Sequence, residues 1–206
     1  MIEPEKRMTF PNPMLVVVSG PSGVGKSTIV AELGRRRPQV VPIVTATTRA
    51  RRAEEMDGVH YHFLSEPDFR ALIAREGLLE HANNHGHWYG TPVDQVRGIL
   101  AAGRDAILTI SPEGARNVRR QVPDALLIFV MPPSMDDLTE RLRGRGSESE
   151  ASLNRRRLDA ERWIAEAGDF DHVVVNETGH PERAAEQIWD IIQAEARREP
   201  PRRPRV

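Results

Sequence analysis

Eight consecutive residues decide the fold of this chain: Gly20-Pro21-Ser22-Gly23-Val24-Gly25-Lys26-Ser27. They fit the pattern G-x-x-x-x-G-K-[ST] without a gap. An apolar run over residues 14–19 precedes them, and an amphipathic run over residues 26–37 follows. A strand, a glycine-rich loop and a helix in this order are typical of a phosphate-binding loop, so the sequence predicts a nucleotide site here.

The residue types in this loop suit contact with phosphate. Glycines let the backbone wrap around a phosphate group, and the helix N-terminus adds a positive dipole. We expect Lys26 to reach the β and γ phosphates and the Ser27 hydroxyl to ligate Mg²⁺ together with phosphates and water. The predicted ATP-binding residues are Gly20, Pro21, Ser22, Gly23, Val24, Gly25, Lys26, Ser27 and Thr28.

On both sides of the loop, short apolar runs alternate with longer amphipathic runs. The apolar runs are rich in Val, Ile and Leu, which favours a parallel sheet covered on both faces, and hence an α/β fold. The predicted strands cover residues 14–19, 40–45, 105–111, 125–131 and 172–176, and the predicted helices cover residues 26–37, 114–121, 134–143 and 180–197.

Two stretches interrupt this alternation. Residues 46–90 are polar, with an alternating piece at 59–63 and a brief helix predicted near 67–76. Residues 143–166 carry dense charge on a helical pattern. We interpret both as excursions from the sheet. The tail 197–206 holds five arginines, one glutamate and three prolines, so we expect a disordered, solvated end; contact with RNA or another acidic partner is the less favoured interpretation.

The composition excludes several classes of protein. The 206 residues carry 29 basic and 30 acidic side chains, so whole-chain charge does not favour nucleic acid as a partner. There is no cysteine for a disulfide, a catalytic thiol or a cysteine-ligated zinc site. His81, His85 and His87 beside Glu80 lack an H-E-x-x-H spacing, which disfavours zinc. We expect a soluble, cytoplasmic protein without membrane contact, and its oligomeric state stays open.

The chain has 27 arginines but only two lysines, Lys6 and Lys26. Base composition of the genome is the favoured cause, but a lysine kept in such a chain is a candidate for a role that arginine cannot fill. A GTPase would need an N-K-x-D motif, for which no lysine remains. A small-molecule kinase would need a second anion site and cations that cover the phosphoryl group in transfer.

Further motifs lie downstream in a fixed order, and the ordered set closely resembles bacterial guanylate kinase, a P-loop nucleoside monophosphate kinase family. The resemblance extends over residues 14–195. The motifs are Thr45-Ala46-Thr47-Thr48-Arg49-Ala50-Arg51-Arg52, Asp57-Gly58-Val59-His60-Tyr61-His62-Phe63, Leu78-Leu79-Glu80-His81, Trp88-Tyr89-Gly90-Thr91, Met131-Pro132-Pro133-Ser134, Arg141-Leu142-Arg143-Gly144-Arg145-Gly146 and Val173-Val174-Val175-Asn176.

The resemblance implies transfer of the γ-phosphoryl group of ATP to GMP with Mg²⁺, giving ADP and GDP. It also implies a P-loop kinase fold with a parallel core sheet flanked by helices, an inserted GMP-binding region and a helical lid. The division it implies is a core at 14–45, 96–140 and 169–195, a GMP-binding insertion at 46–95, a lid at 141–168, and flexible termini at 1–13 and 196–206.

The resemblance also assigns roles to single residues. Arg49 and Arg52 match arginines that clamp the GMP phosphate, which suits the planar fork of arginine. Glu80 matches the glutamate that reads guanine. The implied GMP-binding residues are Thr45, Arg49, Arg52, Tyr61, Glu80, Tyr89 and Thr91. The implied catalytic residues are Lys26, Arg49, Arg141, Arg145 and Arg156, where the run 155–157 leaves Arg157 as an alternative to Arg156.

Two positions of the pattern differ in this chain. Family members usually carry two aspartates at the end of the strand over residues 105–111, where this chain has Thr109 and Ser111. Three hypotheses follow: a guanylate kinase with weakened metal or GMP binding, a kinase with a shifted acceptor preference, or a nucleotide-binding interaction module with little turnover. Glu113 is a candidate substitute for the missing acids.

Overall fold

The protein contains two sheets surrounded by helices. A computed structural model describes residues 12–84, 86–143 and 150–206, without the side chains of residues 151 and 152. The strands are β1 (Leu15–Ser19), β2 (Val40–Pro42), β3 (Ala46–Thr47), β4 (His62–Phe63), β5 (Leu78–Asn84), β6 (His87–Pro92), β7 (Asp105–Thr109), β8 (Leu126–Met131) and β9 (His172–Val175). The helices are α1 (Lys26–Arg36), α2 (Glu66–Ala74), α3 (Val93–Ala101), α4 (Pro112–Gln121), α5 (Met135–Arg143), α6 (Glu150–Ala165) and α7 (Pro181–Ala196), with a 3-10 turn at Ala167–Asp169.

The central sheet consists of five parallel strands in the order β2-β7-β1-β8-β9. Successive side chains of β1 point to opposite faces, and all are buried because helices cover both faces. Val16 and Val18 pack with α1, α5 and α7. Leu15 and Val17 pack with α3 and α4. This arrangement confirms the predicted α/β fold with a parallel core sheet.

Between β2 and β7 the chain forms a second, four-stranded sheet in the order β4-β3-β6-β5, which we call the inserted sheet. Strands β5 and β6 form an antiparallel hairpin, and β3 pairs antiparallel to β6. Helix α2 begins after Ser65, whose hydroxyl accepts a hydrogen bond from the Asp68 N–H. Helix α4 packs against β5 and so connects the inserted sheet to the core.

Most predicted elements are present, with three informative differences. The predicted strand at 40–45 ends at Pro42, and residues 46–47 join the inserted sheet instead. The helix predicted from residue 114 begins at Pro112, because Ser111 caps it and proline suits the first helical turn. Helix α3 was not predicted.

Within the described part of the chain, no helix is long and apolar enough to cross a membrane.

The C-terminal tail contradicts the prediction of a disordered end. Arg202 is only 7% exposed; its Nε donates to Glu195 at 2.7 Å and its Nη1 donates to the Ala125 oxygen at 3.1 Å. Its Nη2 also lies 3.4 Å from Asp171, and Val206 packs against the core. Composition indicated a solvated cationic segment, but long-range acidic partners hold it in place. Most of the predicted flexible N-terminus lies outside the described residues.

Candidate active site

The loop between β1 and α1 requires glycine where it approaches neighbouring strands. Gly20 has a φ of +137°, and a Cβ there would lie 2.3 Å from the Val130 carbonyl oxygen. Gly25 has a φ of +99°, and a Cβ there would lie 2.5 Å from Asn176 Nδ2. A side chain would therefore both strain the backbone and clash. The loop sits at the carboxyl end of β1, where α1 begins at Lys26.

Two side chains from other elements hold this loop at Val24. Asn176 Nδ2 donates to the Val24 oxygen at 2.7 Å, and Arg141 Nη1 donates to the same oxygen at 3.2 Å. Arg141 Nη2 also donates to the Asn176 oxygen at 3.0 Å. Asn176 ends the motif Val173-Val174-Val175-Asn176, but no sequence pattern predicted a role for it. Its position directly after β9 was the available signal, because strand ends meet at one edge of a parallel sheet.

Lys26 extends back over the loop from the first residue of α1. Its Nζ donates to the Gly20 oxygen at 2.6 Å and to the Pro21 oxygen at 2.9 Å. The ammonium charge is thus placed inside the curve of the loop. Ser27 and Thr28 follow in the first turn of α1 and are exposed.

The donor set near the loop fits Mg²⁺ better than a metal held by a protein cage. Ser27 offers one exposed hydroxyl, and Mg²⁺ commonly takes its other ligands from phosphates and water. Among the residues that the structure describes, no group of three or more His, Cys, Asp or Glu side chains could hold a metal ion. His81 and His87 therefore form no such group there, and His85 lies outside the described residues.

The predicted lid arginines differ in whether they contact the phosphate-binding loop. Arg156, on α6, donates from Nη1 to the Ser22 hydroxyl of the loop at 3.2 Å. Arg157 instead pairs with Glu161 at 3.2 Å, and its side chain is 58% exposed. The structure therefore brings Arg141 and Arg156 to the loop. Arg145 lies outside the described residues.

Thr109 and Ser111, which replace the usual acids, flank the end of β7. Thr109 is paired in register with Val18 of β1, one residue before the end of that strand. The Ser111 hydroxyl accepts a hydrogen bond from the Gly114 N–H at 3.3 Å and caps α4. Glu113 is exposed in the first turn of α4. The position of Ser111 therefore already has a structural use.

Arg49 lies among aromatic rings at the end of β3. Its guanidinium carbon lies 5.5 Å from the Tyr61 ring centre and 5.8 Å from that of Phe63. The Tyr61 and Tyr89 rings meet edge to face at 6.1 Å. Burial raises the pKa of Tyr61. The structure therefore groups three of the predicted phosphate-binding residues, and the Arg52 side chain is exposed nearby.

Glu55 belongs to this group, although no sequence pattern predicted it. Its carboxylate accepts from Arg49 Nη2 at 2.7 Å and from the Arg52 N–H at 2.8 Å. Burial alone would raise the pKa of Glu55, but these hydrogen bonds outweigh it and hold the pKa below its usual value. The same ion pair raises the pKa of Arg49. Only its spacing from Arg49 and Arg52 could have indicated Glu55.

Glu80 is a buried carboxyl on β5, with 4% of its surface exposed. The Thr91 hydroxyl donates to Glu80 Oε1 at 2.8 Å, because these residues pair across the β5–β6 hairpin. Oε2 faces α4, where a Cβ on Gly114 would lie 2.9 Å away. Burial raises the pKa of Glu80 to about 7. Thr45 is also buried, and its carbonyl oxygen accepts from His62 N–H at 2.9 Å.

Comparisons with known proteins identify the family of this chain. A sequence profile described as guanylate kinase matches residues 12–195. Guanylate kinase of Thermobifida fusca is 48% identical over 180 residues, 87% of this chain and 91% of that protein. Guanylate kinase of Desulfitobacterium hafniense is 43% identical over 182 residues, 88% of this chain and 90% of that protein. The crystal structure of guanylate kinase from Anaplasma phagocytophilum superposes with a TM-score of 0.73 at 29% identity, covering 91% of this chain and 88% of that one. The chain therefore belongs to the guanylate kinase family.

Proposed function

We propose that the protein transfers the γ-phosphoryl group of ATP to GMP, giving ADP and GDP. The observation that carries this proposal is the content of residues 46–95. They include both an arginine–tyrosine cluster around Arg49 and a buried carboxyl, Glu80, while an intact phosphate-binding loop follows β1 of the central sheet. Membership of the guanylate kinase family supports the same reaction.

On the donor side, the loop from Gly20 to Thr28 binds the phosphates of ATP. Lys26 lies where its ammonium can move from the Gly20 and Pro21 oxygens to the β and γ phosphates. Arg141, Arg145 and Arg156 neutralise the charge that spreads over the transferring phosphoryl oxygens. The positions of Arg141 and Arg156 against the loop support this assignment for those two residues.

The metal would be held at the same loop. Ser27 would ligate Mg²⁺ through its hydroxyl, with phosphate oxygens and water as the other ligands. When bound, the ion supplies positive charge that neutralises the phosphate oxygens. The position of Ser27 in the first turn of α1 supports this assignment.

On the acceptor side, Arg49, Arg52, Tyr61 and Tyr89 bind the phosphate of GMP. An oxygen of this phosphate attacks the γ-phosphorus of ATP, and the bond from that phosphorus to the bridging oxygen breaks to release ADP. The phosphate is already an anion, so no protein base is needed. The main task of the arginines is to offset the repulsion between two groups of like charge.

Glu80 selects guanine. Guanine presents its N1–H and its N2 amine on one edge, and a carboxylate accepts hydrogen bonds from both. Adenine presents an acceptor at N1, which would face the carboxylate unpaired. Thr91 orients Glu80 through their hydrogen bond, and Thr45 provides a further hydroxyl at the base.

We divide the domain, residues 14–195, by these roles. The core comprises residues 14–45, 96–140 and 169–195, the GMP-binding insertion residues 46–95, and the lid residues 141–168. Closure of the lid and the insertion over the core would exclude water, so that the phosphoryl group passes to GMP and not to solvent.

An ADP-release assay with GMP, dGMP, AMP, CMP and UMP as acceptors tests the proposal. Turnover with GMP, well above that with the other ribonucleotides, is the expected result. Turnover with another acceptor instead would indicate a kinase with a shifted acceptor preference, the hypothesis that follows from Thr109 and Ser111. Tight nucleotide binding without turnover would indicate an interaction module.

A further inference from the structure

Glu55 is a buried acid in the segment that connects β3 to β4. It is 7% exposed, whereas the neighbouring Glu54 is exposed. Residues 48–61, all of which the structure describes, contain no helix and only an isolated bridge between Asp57 and Tyr61. Regular secondary structure therefore does not fix Arg49 and Arg52, although the Arg49 N–H donates to the Thr47 hydroxyl at 3.1 Å.

The contacts of Glu55 provide that fixation. One carboxylate oxygen accepts from Arg49 Nη2 at 2.7 Å, and the other accepts from the Arg52 N–H at 2.8 Å. The Glu55 backbone oxygen accepts from Arg51 Nη1. One acidic residue thus contacts three arginines of the turn, and its carboxylate forms an ion pair with the guanidinium of Arg49.

The ion pair leaves Arg49 able to bind a second anion. A guanidinium has five N–H groups; Glu55 and the Ala50 oxygen each take one, and the Tyr89 side chain also interacts with Arg49. The Tyr61 and Phe63 rings support the guanidinium at 5.5 and 5.8 Å. The ion pair with Glu55 therefore orients the Arg49 guanidinium and still leaves N–H groups that can donate to a phosphate.

We propose that Glu55 is a positioning residue of the acceptor-phosphate clamp. It holds Arg49 and the backbone of residues 49–52 in the geometry that receives the phosphate of GMP, and it keeps its contacts when the phosphate binds. This inference rests on the proposed function of the clamp as the GMP site, and it assigns a role to a residue that lies outside the motifs shared with the family.

The test compares Glu55→Gln with the matched control Glu54→Gln, which removes the same charge one residue away at an exposed position. We expect Glu55→Gln to raise KM for GMP about tenfold or more, the effect of losing a charge-assisted hydrogen bond. Its kcat and its KM for ATP should change less than about twofold, as expected when only binding of the acceptor is affected. Glu54→Gln should behave like the wild type.

Two further measurements separate positioning from a general structural role. Guanosine lacks the phosphate, so its inhibition constant should be the same in Glu55→Gln and in the wild type. Glu55→Asp keeps the charge and should recover part of the affinity for GMP. A lower KM for GMP in Glu55→Gln would show that Glu55 competes with the phosphate, and an equal loss for guanosine would show a structural defect; either overturns the inference.

Calorimetric titration of GMP into wild type and Glu55→Gln separates this inference from the proposed function. Weaker GMP binding by Glu55→Gln supports the inference even if the wild type shows no turnover, in which case only the proposed function fails. Turnover by the wild type with unchanged GMP affinity in Glu55→Gln overturns the inference alone.

Discussion

The two sheets of this protein present different kinds of anion site. At the central sheet, the loop from Gly20 to Ser27 offers backbone groups, and its shape is fixed by contacts with Asn176 and Arg141. At the inserted sheet, the groups are side chains, and Arg49 is held by an ion pair with Glu55. The geometry of the first site is therefore set by the conformation of the backbone, whereas the geometry of the second depends on interactions between charged side chains.

The two sites also differ in the free-energy cost of the groups that they bury. The core beneath the phosphate-binding loop is apolar, with Val24 and Ile29 fully buried. Two carboxyls are buried near the acceptor site, Glu55 in the segment between β3 and β4 and Glu80 on β5. Glu55 pairs with Arg49, whereas the contact of Glu80 among the described residues is with the Thr91 hydroxyl. Burial of an unpaired carboxyl costs free energy unless it is protonated. The base-reading site is therefore the one that should respond to pH, and the following predictions test this contrast.

The largest effect is expected for Lys26→Arg, which keeps the charge at the backbone-built site but changes its shape. Nζ lies within 2.9 Å of both the Gly20 and Pro21 oxygens, a space that suits a compact ammonium and not a planar guanidinium. We expect kcat to fall at least about 100-fold.

Steady-state assays with saturating ATP and GMP measure this effect. Lys6→Arg is the control, since it replaces the only other lysine of the chain and should leave kcat unchanged. If Lys26→Arg kept kcat within tenfold of the wild type, charge alone would suffice at this position.

The next effect is expected for Glu80→Gln at the side-chain site. A carboxamide cannot accept from both guanine donors, so KM for GMP should rise about 100-fold while KM for ATP stays unchanged. The discrimination between GMP and AMP should fall as well. Equal changes in both KM values would argue against a role in reading the base.

The residues of the phosphate-binding loop could be predicted from the sequence more completely than the residues of the acceptor site. The phosphate-binding loop is contiguous, so its strand, turn and helix could all be read from local pattern. Arg49 and Glu80 lie 31 positions apart, and only resemblance to a family joined them. Glu55 looked like one more acid in a charged loop, because local sequence does not distinguish a paired buried carboxylate from a solvated one.

The tail and the inserted sheet show the same limit for the fold. Arg202 belongs to a segment whose composition indicates disorder, yet its partners Asp171 and the Ala125 oxygen are distant in sequence, and local pattern does not place them beside it. Strands of two residues, such as β3, are too short for a periodicity signal. Long, nearly continuous apolar strands such as β8 were predicted to within one residue.

A smaller effect, of about tenfold, is expected from pH. Since burial raises the pKa of Glu80 to about 7, wild-type KM for GMP should rise about tenfold between pH 8 and pH 6 as the carboxylate takes up a proton. Glu80→Gln should lack this component, so the ratio of the two KM values isolates it from titration of the GMP phosphate.

The same titration should appear in folding. The folded pKa of Glu80 lies above its ordinary value of 4.5, so its contribution to stability is full below pH 4.5 and is lost as pH rises through 7. Relative to Glu80→Gln, the wild type should lose up to about 3 kcal/mol of unfolding free energy across this window. Urea unfolding of both proteins between pH 4 and pH 8 measures the difference, and a constant difference would contradict the raised pKa.

The smallest effect is expected for Ser111→Asp, which adds a carboxylate near the backbone-built site. Aspartate caps helices as well as serine does, so α4 should tolerate the change. Residue 111 follows β7, whose Thr109 pairs with Val18 close to the start of the loop. An acid there would help hold Mg²⁺ or its waters, and we expect the Mg²⁺ concentration for half-maximal rate to fall about threefold.

Ser111→Asn is the matched control, because asparagine also caps α4 but carries no charge. A titration of Mg²⁺ at fixed ATP should shift for Ser111→Asp and not for Ser111→Asn. A shift in both variants would trace the effect to the helix cap. An unchanged or higher Mg²⁺ requirement in Ser111→Asp would mean that Ser27, phosphates and water suffice to bind the metal. The phosphate-binding loop would then need no protein carboxylate for Mg²⁺, only its backbone geometry and one hydroxyl.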